Sequence, residues 1–242
     1  MITTRDTIAV AIVCKTPEAG RSKTRLSPPL APEDCAAISS CFIADLSATI
    51  GTIGLADDVT PCALYTPAGS ETRLRTLLPD GTKLVVQRGE DFGDRLLFGM
   101  RDLLADHAGA ILVNSDSPTL PPDILRAAVD ALKDGDRVVL SRAFDGGYTL
   151  IGLARAHARL FEDIPWSTAD VHRLTVERAG ELGLPVVDVP GWYDVDDAGS
   201  LALLEDECLA GRPFDGRPGA RAPATRAFLE RRAGHRRIDA AA

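Results

Sequence analysis

The segment IAVAIVC at residues 8–14 runs directly into KTPEAGRSKTRL at residues 15–26. An apolar run without polar alternation is typical of a strand buried on both faces, as in parallel sheets covered by helices. Residues that follow such a strand lie at its carboxyl end, where open α/β sheets bind their ligands. The start of the chain therefore predicts a buried strand and, immediately after it, a loop that binds a ligand.

Apolar runs and helical patterns alternate along the rest of the chain. The runs predict strands at residues 8–14, 63–65, 84–87, 110–113, 138–140, 150–153 and 186–189. Apolar residues with a period of 3.6 predict helices at residues 32–50, 91–107, 121–132, 167–182, 200–209 and 225–232. The fourth helix is expected to begin with a capping box at residues 167–170. This alternation predicts a three-layer α/β/α sandwich around a mixed, mainly parallel sheet.

Composition is that of an ordinary folded protein. The chain has 242 residues, a formal net charge of −8, 45% hydrophobic and 26% charged residues, which excludes a mainly disordered chain. Its longest unbroken apolar run has seven residues, whereas a membrane-spanning helix needs roughly 20. The five cysteines include no C-x-x-C pair and are interpreted as core residues of a reduced protein. A cytoplasmic protein without a membrane partner is expected.

Charge is distributed unevenly between two parts of the chain. Residues 1–210 are predicted to form one catalytic domain, and residues 211–242 a basic tail rich in Gly, Pro and Arg. Residues 212–242 carry a net charge of +5, and residues 1–211 carry −13. An acidic body argues against a nucleic-acid partner. The tail is interpreted as a solvated or self-docking segment, with a nucleic-acid arm as the less favoured alternative. The oligomeric state is not indicated.

The loop after the first strand is rich in cations. Within residues 15–26, which we call the basic loop, lie a glycine and four basic residues, namely Gly20, Lys15, Arg21, Lys23 and Arg25. Glycine permits close approach of a ligand to the backbone, and Lys and Arg supply the countercharge that a polyphosphate needs. The loop matches neither the Walker motif nor the dinucleotide fingerprint. The alternative interpretation is a solvated basic loop.

Carboxylates follow three other predicted strands. Asp116 comes after the strand at 110–113 and is a candidate ligand for Mg²⁺, although an Asx turn or a helix cap explains it equally well. Asp145-Gly-Gly-Tyr148 is either a functional loop or a hairpin turn. Residues 194–197 include three aspartates. Two of them could complete a metal site with Asp116, and one is expected to cap the next helix.

Six ordered segments resemble the GT-A superfamily of nucleotide-diphospho-sugar transferases. They are KTPEAGRSKTRL (15–26), DFGDR (91–95), SDSPTL (115–120), DGGYTLIGL (145–153), IPWST (164–168) and DVD (194–196). The most similar branch is a bacterial one labelled "selenodomain-associated" glycosyltransferase. It is related to the guanylyltransferases of the molybdopterin and deazaflavin pathways. The resemblance implies the GT-A fold.

The resemblance also implies a role for individual residues. The basic loop would bind the donor's phosphates, through Lys15, Gly20, Arg21, Lys23, Thr24 and Arg25. Asp116 and Asp196 would hold Mg²⁺ or Mn²⁺, and Lys23, Arg25 and Asp116 would be catalytic. Gln87 and Gly93 would contact the base of the nucleotide. The acceptor, a small molecule, would lie beside Asp145, Gly146, Gly147 and Tyr148.

Two reactions are compatible with such a site. In nucleotidyl transfer, a phosphorylated or carboxylic acceptor attacks a nucleoside triphosphate and releases pyrophosphate. In glycosyl transfer, a sugar moves from a nucleotide-diphospho-sugar to the acceptor. The density of cations in the basic loop favours nucleotidyl transfer, because pyrophosphate carries the larger leaving charge. A non-catalytic nucleotide-binding protein is the third and least favoured hypothesis.

Overall fold

The computed structural model describes residues 6–54 and 58–239. Seven strands form one sheet in the order β3-β2-β1-β4-β6-β5-β7. They are β1 (Ile8–Lys15), β2 (Val59–Thr66), β3 (Lys83–Val86), β4 (Gly109–Asn114), β5 (Val138–Arg142), β6 (Tyr148–Leu153) and β7 (Val186–Val189). Only β6 is antiparallel to its neighbours in this described sheet, pairing with β4 and with β5. All seven predicted strands are therefore present, and β1 lies in the interior of the sheet between β2 and β4.

Helices cover both faces of the sheet. Their bounds are α1 (Pro32–Ile53), α2 (Glu71–Arg75), α3 (Phe92–Leu104), α4 (Pro122–Leu132), α5 (Val171–Glu181), α6 (Ala198–Ala210) and α7 (Pro223–Asp239). Buried residues of α1, α4, α6 and α7 pack in one core with one face of the sheet. Buried residues of α3 and α5 pack against the other face. The predicted three-layer α/β/α sandwich is confirmed.

Helix α1 is the most apolar of the described helices. By length and composition alone it could cross a bilayer, and it is the only helix in the described ranges that meets this criterion. Nine of its residues are buried, among them Ile38, Phe42 and Leu46. The apolar ones belong to the core that α1 shares with α4, α6 and α7. Its apolar character is therefore explained by packing in this core.

The predicted capping box at residues 167–170 is wrong. Helix α5 begins at Val171 without a side-chain cap, and Ser167 has a φ of 65°. The Thr168 hydroxyl donates instead to the carbonyl of Pro165, at 2.7 Å. A true capping box lies at α6, where the Asp197 carboxylate accepts from the backbone of Ser200 at 2.9 Å. The expectation that one aspartate of residues 194–197 caps the next helix is thus confirmed.

Candidate active site

The basic loop forms a compact turn at the carboxyl end of β1. Gly20 has a φ of 73° and Lys23 a φ of 50°, both in the left-handed region. A short 3-10 turn at Thr24–Leu26 follows, and its Leu26 side chain is fully buried. This buried leucine holds the loop against the core, so that the backbone directs Lys23 inward.

The ammonium group of Lys23 connects two loops that are distant in the sequence. Its Nζ lies 2.7 Å from Asp116 Oδ1, 2.8 Å from Asp196 Oδ1 and 2.7 Å from the carbonyl of Val195. A lysine has three N–H donors, so these acceptors use all of them. Its side chain is only 8% exposed. Lys23 therefore holds together the two aspartates that the sequence offers as metal ligands.

Burial and neighbouring charges have opposite effects on the pKa values of Lys23 and Asp196. Burial alone would lower the pKa of Lys23, but the charges and hydrogen bonds of Asp116 and Asp196 raise it above its usual value. For Asp196, burial acts to raise the pKa, and the nearby Lys23 and Arg25 cations lower it below the ordinary value. Lys23 and Asp196 are consequently both charged at neutral pH.

The other cations of the basic loop are more exposed. Arg25 donates to Asp196 Oδ2 at 2.8 Å and is 69% exposed. Lys15 Nζ donates to the carbonyl of Arg21 at 3.2 Å, and the Arg21 guanidinium lies 3.5 Å from Glu18. These cations, together with Lys23, Thr24 and Asp116, line an open cavity of about 270 Å³, which we call the basic-loop cavity. A polyanion can enter it from solvent.

Three carboxylates converge beside Lys23. One oxygen from each of Asp145, Asp194 and Asp196 lies within 4.8 Å of the others. Desolvation, reinforced by the charges of Asp145 and Asp196, raises the pKa of Asp194 to about 7. Hard oxygen donors at this spacing suit Mg²⁺ or Mn²⁺. The donor set thus fits a divalent cation, with Asp194 as a candidate ligand that the sequence analysis did not select.

A second, larger cavity of about 380 Å³ adjoins the first, and we call it the main cavity. It shares Asp116, Asp196 and Arg25 with the basic-loop cavity. Four further residues with expected roles line it, namely Gln87, Asp145, Gly147 and Tyr148. The Gln87 amide donates to the carbonyls of Leu64 and Cys14, at 2.9 and 3.3 Å, and so ties β2 to β1.

The other two expected residues make close backbone contacts. A Cβ on Gly93 would lie 2.6 Å from the Phe161 carbonyl oxygen and 3.0 Å from Trp166 Nε1. One on Gly146 would lie 2.2 Å from the Ala169 carbonyl oxygen. Neither glycine lines the main cavity, and both permit segments around that cavity to pack closely.

Two further residues of the main cavity were given no role by the sequence analysis. Arg95 lies on α3, one turn after Phe92, and Trp166 contacts Phe92 edge to face with ring centroids 5.2 Å apart. A single arginine on an amphipathic helix has the pattern of a surface charge. Both residues occur in segments that carry the resemblance. Only this position in the sequence could have marked them as functional residues.

Comparison with known proteins gives one family match and several structural matches. A family described as "Uncharacterized protein conserved in bacteria (DUF2064)" matches residues 49–168. A crystal structure from Desulfovibrio desulfuricans G20, described as a "putative nucleotide-diphospho-sugar transferase", has a TM-score of 0.78 and 26% identity, over 93% of this chain and 97% of that one. The chain has the nucleotide-diphospho-sugar transferase fold.

More distant structures share this transferase fold. A CMP:2-keto-3-deoxy-manno-octonic acid synthetase complexed with CTP has a TM-score of 0.56 and 12% identity, over 85% of this chain and all of that one. The 4-diphosphocytidyl-2C-methyl-D-erythritol synthase of Anaerococcus prevotii has a TM-score of 0.52 and 10% identity, over 82% and 96%. No curated protein sequence matches the chain. The resemblance inferred from the sequence is confirmed at the level of the fold.

Proposed function

We propose that the protein is a Mg²⁺-dependent nucleotidyltransferase, which transfers a nucleotide from a nucleoside triphosphate to a small phosphorylated or carboxylic acceptor. The observation that carries this proposal is the basic-loop cavity. Four cations and two aspartates line it, which leaves an excess of two positive charges. That excess suits a triphosphate and its pyrophosphate product, whose charge must be neutralised as the bond breaks.

Each of the two cavities binds a different part of the substrates. Lys15, Arg21 and Arg25 bind the β- and γ-phosphates, and the main cavity accommodates the nucleoside and the acceptor. An acceptor oxygen forms a bond to the α-phosphorus while the bond to the bridging oxygen of the β-phosphate breaks, and pyrophosphate leaves. An ionised acceptor oxygen carries its own electron pair, so no protein group needs to remove a proton.

The carboxylates would hold the metal ion that such a reaction uses. Asp116 and Asp196 are the predicted ligands and share the Lys23 ammonium. Asp194 and Asp145 lie close enough to Asp196 to bind the same ion. Bound Mg²⁺ would supply charge neutralisation and in-line alignment of the triphosphate. Lys23 holds Asp116 and Asp196 at the same side of the cavity, and its ammonium lies where a cation bound by both carboxylates would lie.

Glycosyl transfer is the second candidate. The name of the Desulfovibrio relative favours it, since that protein shares 26% identity over nearly the whole chain. The same cations would then neutralise a nucleoside diphosphate as it leaves the sugar. A non-catalytic nucleotide-binding protein is disfavoured, because binding alone does not need a group of carboxylates beside the cations that bind the phosphates.

Product analysis distinguishes the two reactions. The purified protein is incubated with Mg²⁺ and each nucleoside triphosphate over a panel of phosphorylated and carboxylic acids, and pyrophosphate release is measured. Nucleotide sugars are tested in parallel. Nucleotidyl transfer is supported if pyrophosphate release depends on the acceptor and is lost in Asp116→Asn. The control variant Asp123→Asn, at an exposed position, should keep this activity. Turnover of nucleotide sugars alone would replace nucleotidyl transfer by glycosyl transfer, and nucleotide binding without turnover would support the non-catalytic alternative.

Three further properties remain predictions from the sequence. They are a cytoplasmic location, the absence of nucleic-acid and membrane partners, and a separate role for residues 211–242. Residues 1–211 carry a net negative charge, which repels an anionic substrate. Such a substrate can bind only where local cations make the surface positive. The basic loop is such a place. Its excess of positive charge would attract a nucleotide that the rest of the surface repels.

A further inference from the structure

One side of the main cavity is built by segments to which the proposed chemistry gives no role. The start of α3 contributes Phe92 and Arg95, and the segment at 164–168 contributes Trp166. Gly93 lets α3 pack directly on Trp166, and Gly146 lets the turn between β5 and β6 pack directly on Ala169. Three of the motifs that carry the family resemblance therefore meet at this side of the cavity.

The segment at 164–168 is held in an unusual backbone conformation. Asp163 and Ser167, which flank Pro165 and Trp166, have φ values of 53° and 65°. Left-handed backbone is unfavourable for residues other than glycine, and such strain concentrates at binding sites. The result is that a half-buried tryptophan lines the cavity, although burial in the core is its more usual environment.

Arg95 is the cation of this part of the cavity. It lies three residues after Phe92 on the same face of α3. Its guanidinium forms no hydrogen bond or ion pair with any residue in the ranges 6–54 and 58–239. A half-buried guanidinium beside Leu96, Ile151 and other apolar groups has lost part of its hydration, and an anionic ligand would compensate for that loss.

We propose that Arg95 and Trp166 bind the acceptor, and that this acceptor carries an anionic group on an apolar body. The proposal rests on the proposed transferase function and specifies its substrate. Arg95 would form charge-assisted hydrogen bonds with a phosphate or carboxylate, and Trp166 would pack on the apolar body. The resemblance associates Gly93 with the base and the turn at 145–148 with the acceptor. We assign this side to the acceptor because the Arg95 cation suits an anionic group better than a neutral base, and because Ala169 packs on Gly146 in that turn.

Tryptophan fluorescence tests this subsite without relying on catalysis. The chain has two tryptophans; Trp192 is 1% exposed in the core, whereas Trp166 lines the cavity. Phenyl phosphate is titrated into the wild-type protein, and phenol and inorganic phosphate serve as controls for each half of the ligand. We expect a saturable change in emission with phenyl phosphate that is absent from Trp166→Phe.

The arginine is tested with matched variants on the same helix. Arg95→Met should weaken phenyl phosphate binding about tenfold or more, since a charge-assisted hydrogen bond is lost. Arg95→Lys should recover part of the affinity. Arg101→Met, which removes another cation of α3 that does not line the main cavity, should bind as the wild type does. Thermal unfolding of each variant verifies that the fold is retained.

Three results would overturn the assignment. The first is the absence of a saturable change in the wild type, and the second is an unchanged affinity in Arg95→Met. The third is competition in which a nucleoside triphosphate with Mg²⁺ displaces phenyl phosphate, because that would give this side of the cavity to the nucleoside. If phenyl phosphate binds through Arg95 while no nucleotide binds at all, the proposed function fails and the anion subsite stands.

Discussion

At the scale of single residues, Lys23 occupies the position between Asp116 and Asp196. Its ammonium satisfies both carboxylates at 2.7 and 2.8 Å with little access for water. A divalent cation held by the same two oxygens would compete with this ammonium for them. Lys23 would then be released to contact phosphate oxygens, which is the role that the sequence analysis gave it.

Replacement of Lys23 should expose this competition. Lys23→Met leaves two facing carboxylates without their buried partner cation, and we expect it to lower the free energy of unfolding by about 1–3 kcal/mol. This is less than the roughly 3–5 kcal/mol lost when a fully buried pair is broken, because both acids retain some exposure. Mg²⁺ should stabilise this variant more than the wild type. Thermal unfolding with and without Mg²⁺ measures both effects.

The control for this experiment is another cation of the same loop. Arg21→Met removes a guanidinium that is 69% exposed and pairs with Glu18, so its free energy of unfolding should change by less than about 1 kcal/mol. Equal losses in the two variants, or equal stabilisation of the wild type and Lys23→Met by Mg²⁺, would contradict the proposed competition.

Asp194 gives a pH dependence with a definite sign. Its pKa is raised in the folded protein from 3.8 to about 7, first by desolvation and then by the charges of Asp145 and Asp196. The folded state therefore binds more protons than the unfolded state between about pH 4 and 7, and this group makes the protein less stable as the pH rises through that window.

The variant Asp194→Asn should remove this dependence. In EDTA, its melting temperature should exceed that of the wild type at pH 8, and the difference should shrink as the pH falls towards 4.5. Each kcal/mol recovered corresponds to about 2–4 °C for a chain of this size. Asp134→Asn, a change at a carboxylate that is 71% exposed, should leave the difference near zero. A gain that is independent of pH would contradict the assigned pKa.

The residue contacts of the site show what a sequence can and cannot predict. The basic loop and the acids after β4 and β7 were found because each follows a predicted strand. Lys23 contacts Asp196 across 173 positions of sequence, and no local pattern encodes such a contact. Arg95 was missed for the same reason, since its lack of an ionic partner within the described ranges is visible only in three dimensions.

At the scale of secondary-structure elements, the strands were predictable and some helix ends were not. Long apolar runs such as residues 8–14 have few alternatives to a buried strand. The start of α5 was predicted wrongly, because the sequence at 167–170 satisfies the capping-box pattern while tertiary contacts determine its backbone. Ala169 packs on Gly146, and this contact places Ser167 outside the helical region.

The packing of α3 gives a prediction at this scale. Gly93→Ala would place a methyl group 2.6 Å from the Phe161 carbonyl oxygen, so α3 or the segment at 164–168 must shift. We expect a loss of about 1–3 kcal/mol in the free energy of unfolding, as for other overpacked positions. Urea unfolding measures the loss, and the emission of Trp166 should change because its neighbour moves.

A second helical glycine provides the control. Gly180 lies in α5, and a methyl group added there would have no neighbour within 4 Å among the described residues outside its own helix. Gly180→Ala should therefore stabilise the protein, by up to about 1 kcal/mol, through the higher helix propensity of alanine. If both substitutions had the same effect, the close approach of Phe161 to Gly93 would not be the cause of the loss.

At the scale of the whole molecule, the C-terminal segment docks on the sandwich. Helix α7 packs against α1 and α6, and the preceding segment runs beside the loop after β4, where Ala220 donates to the Thr119 carbonyl at 2.8 Å. Thr119 also accepts from the indole of Trp192, two residues before Asp194. The basic tail is therefore connected to the loops that present Asp116 and Asp194.

A buried carboxylate binds the start of α7, which gives the last prediction. Asp45, on α1 and 4% exposed, accepts from the backbone N–H groups of Ala224 and Thr225 at 3.0 and 2.7 Å. Asp45→Ala should lower the free energy of unfolding by about 1–3 kcal/mol, because two buried donors lose a charged acceptor.

Asp45→Ala should also speed trypsin cleavage at Arg226, since local unfolding of α7 becomes easier. Asp206→Ala, which breaks an exposed ion pair with Arg212, should be cleaved at the wild-type rate. An unchanged rate in Asp45→Ala would mean that the other contacts of α7 hold it in place without this carboxylate.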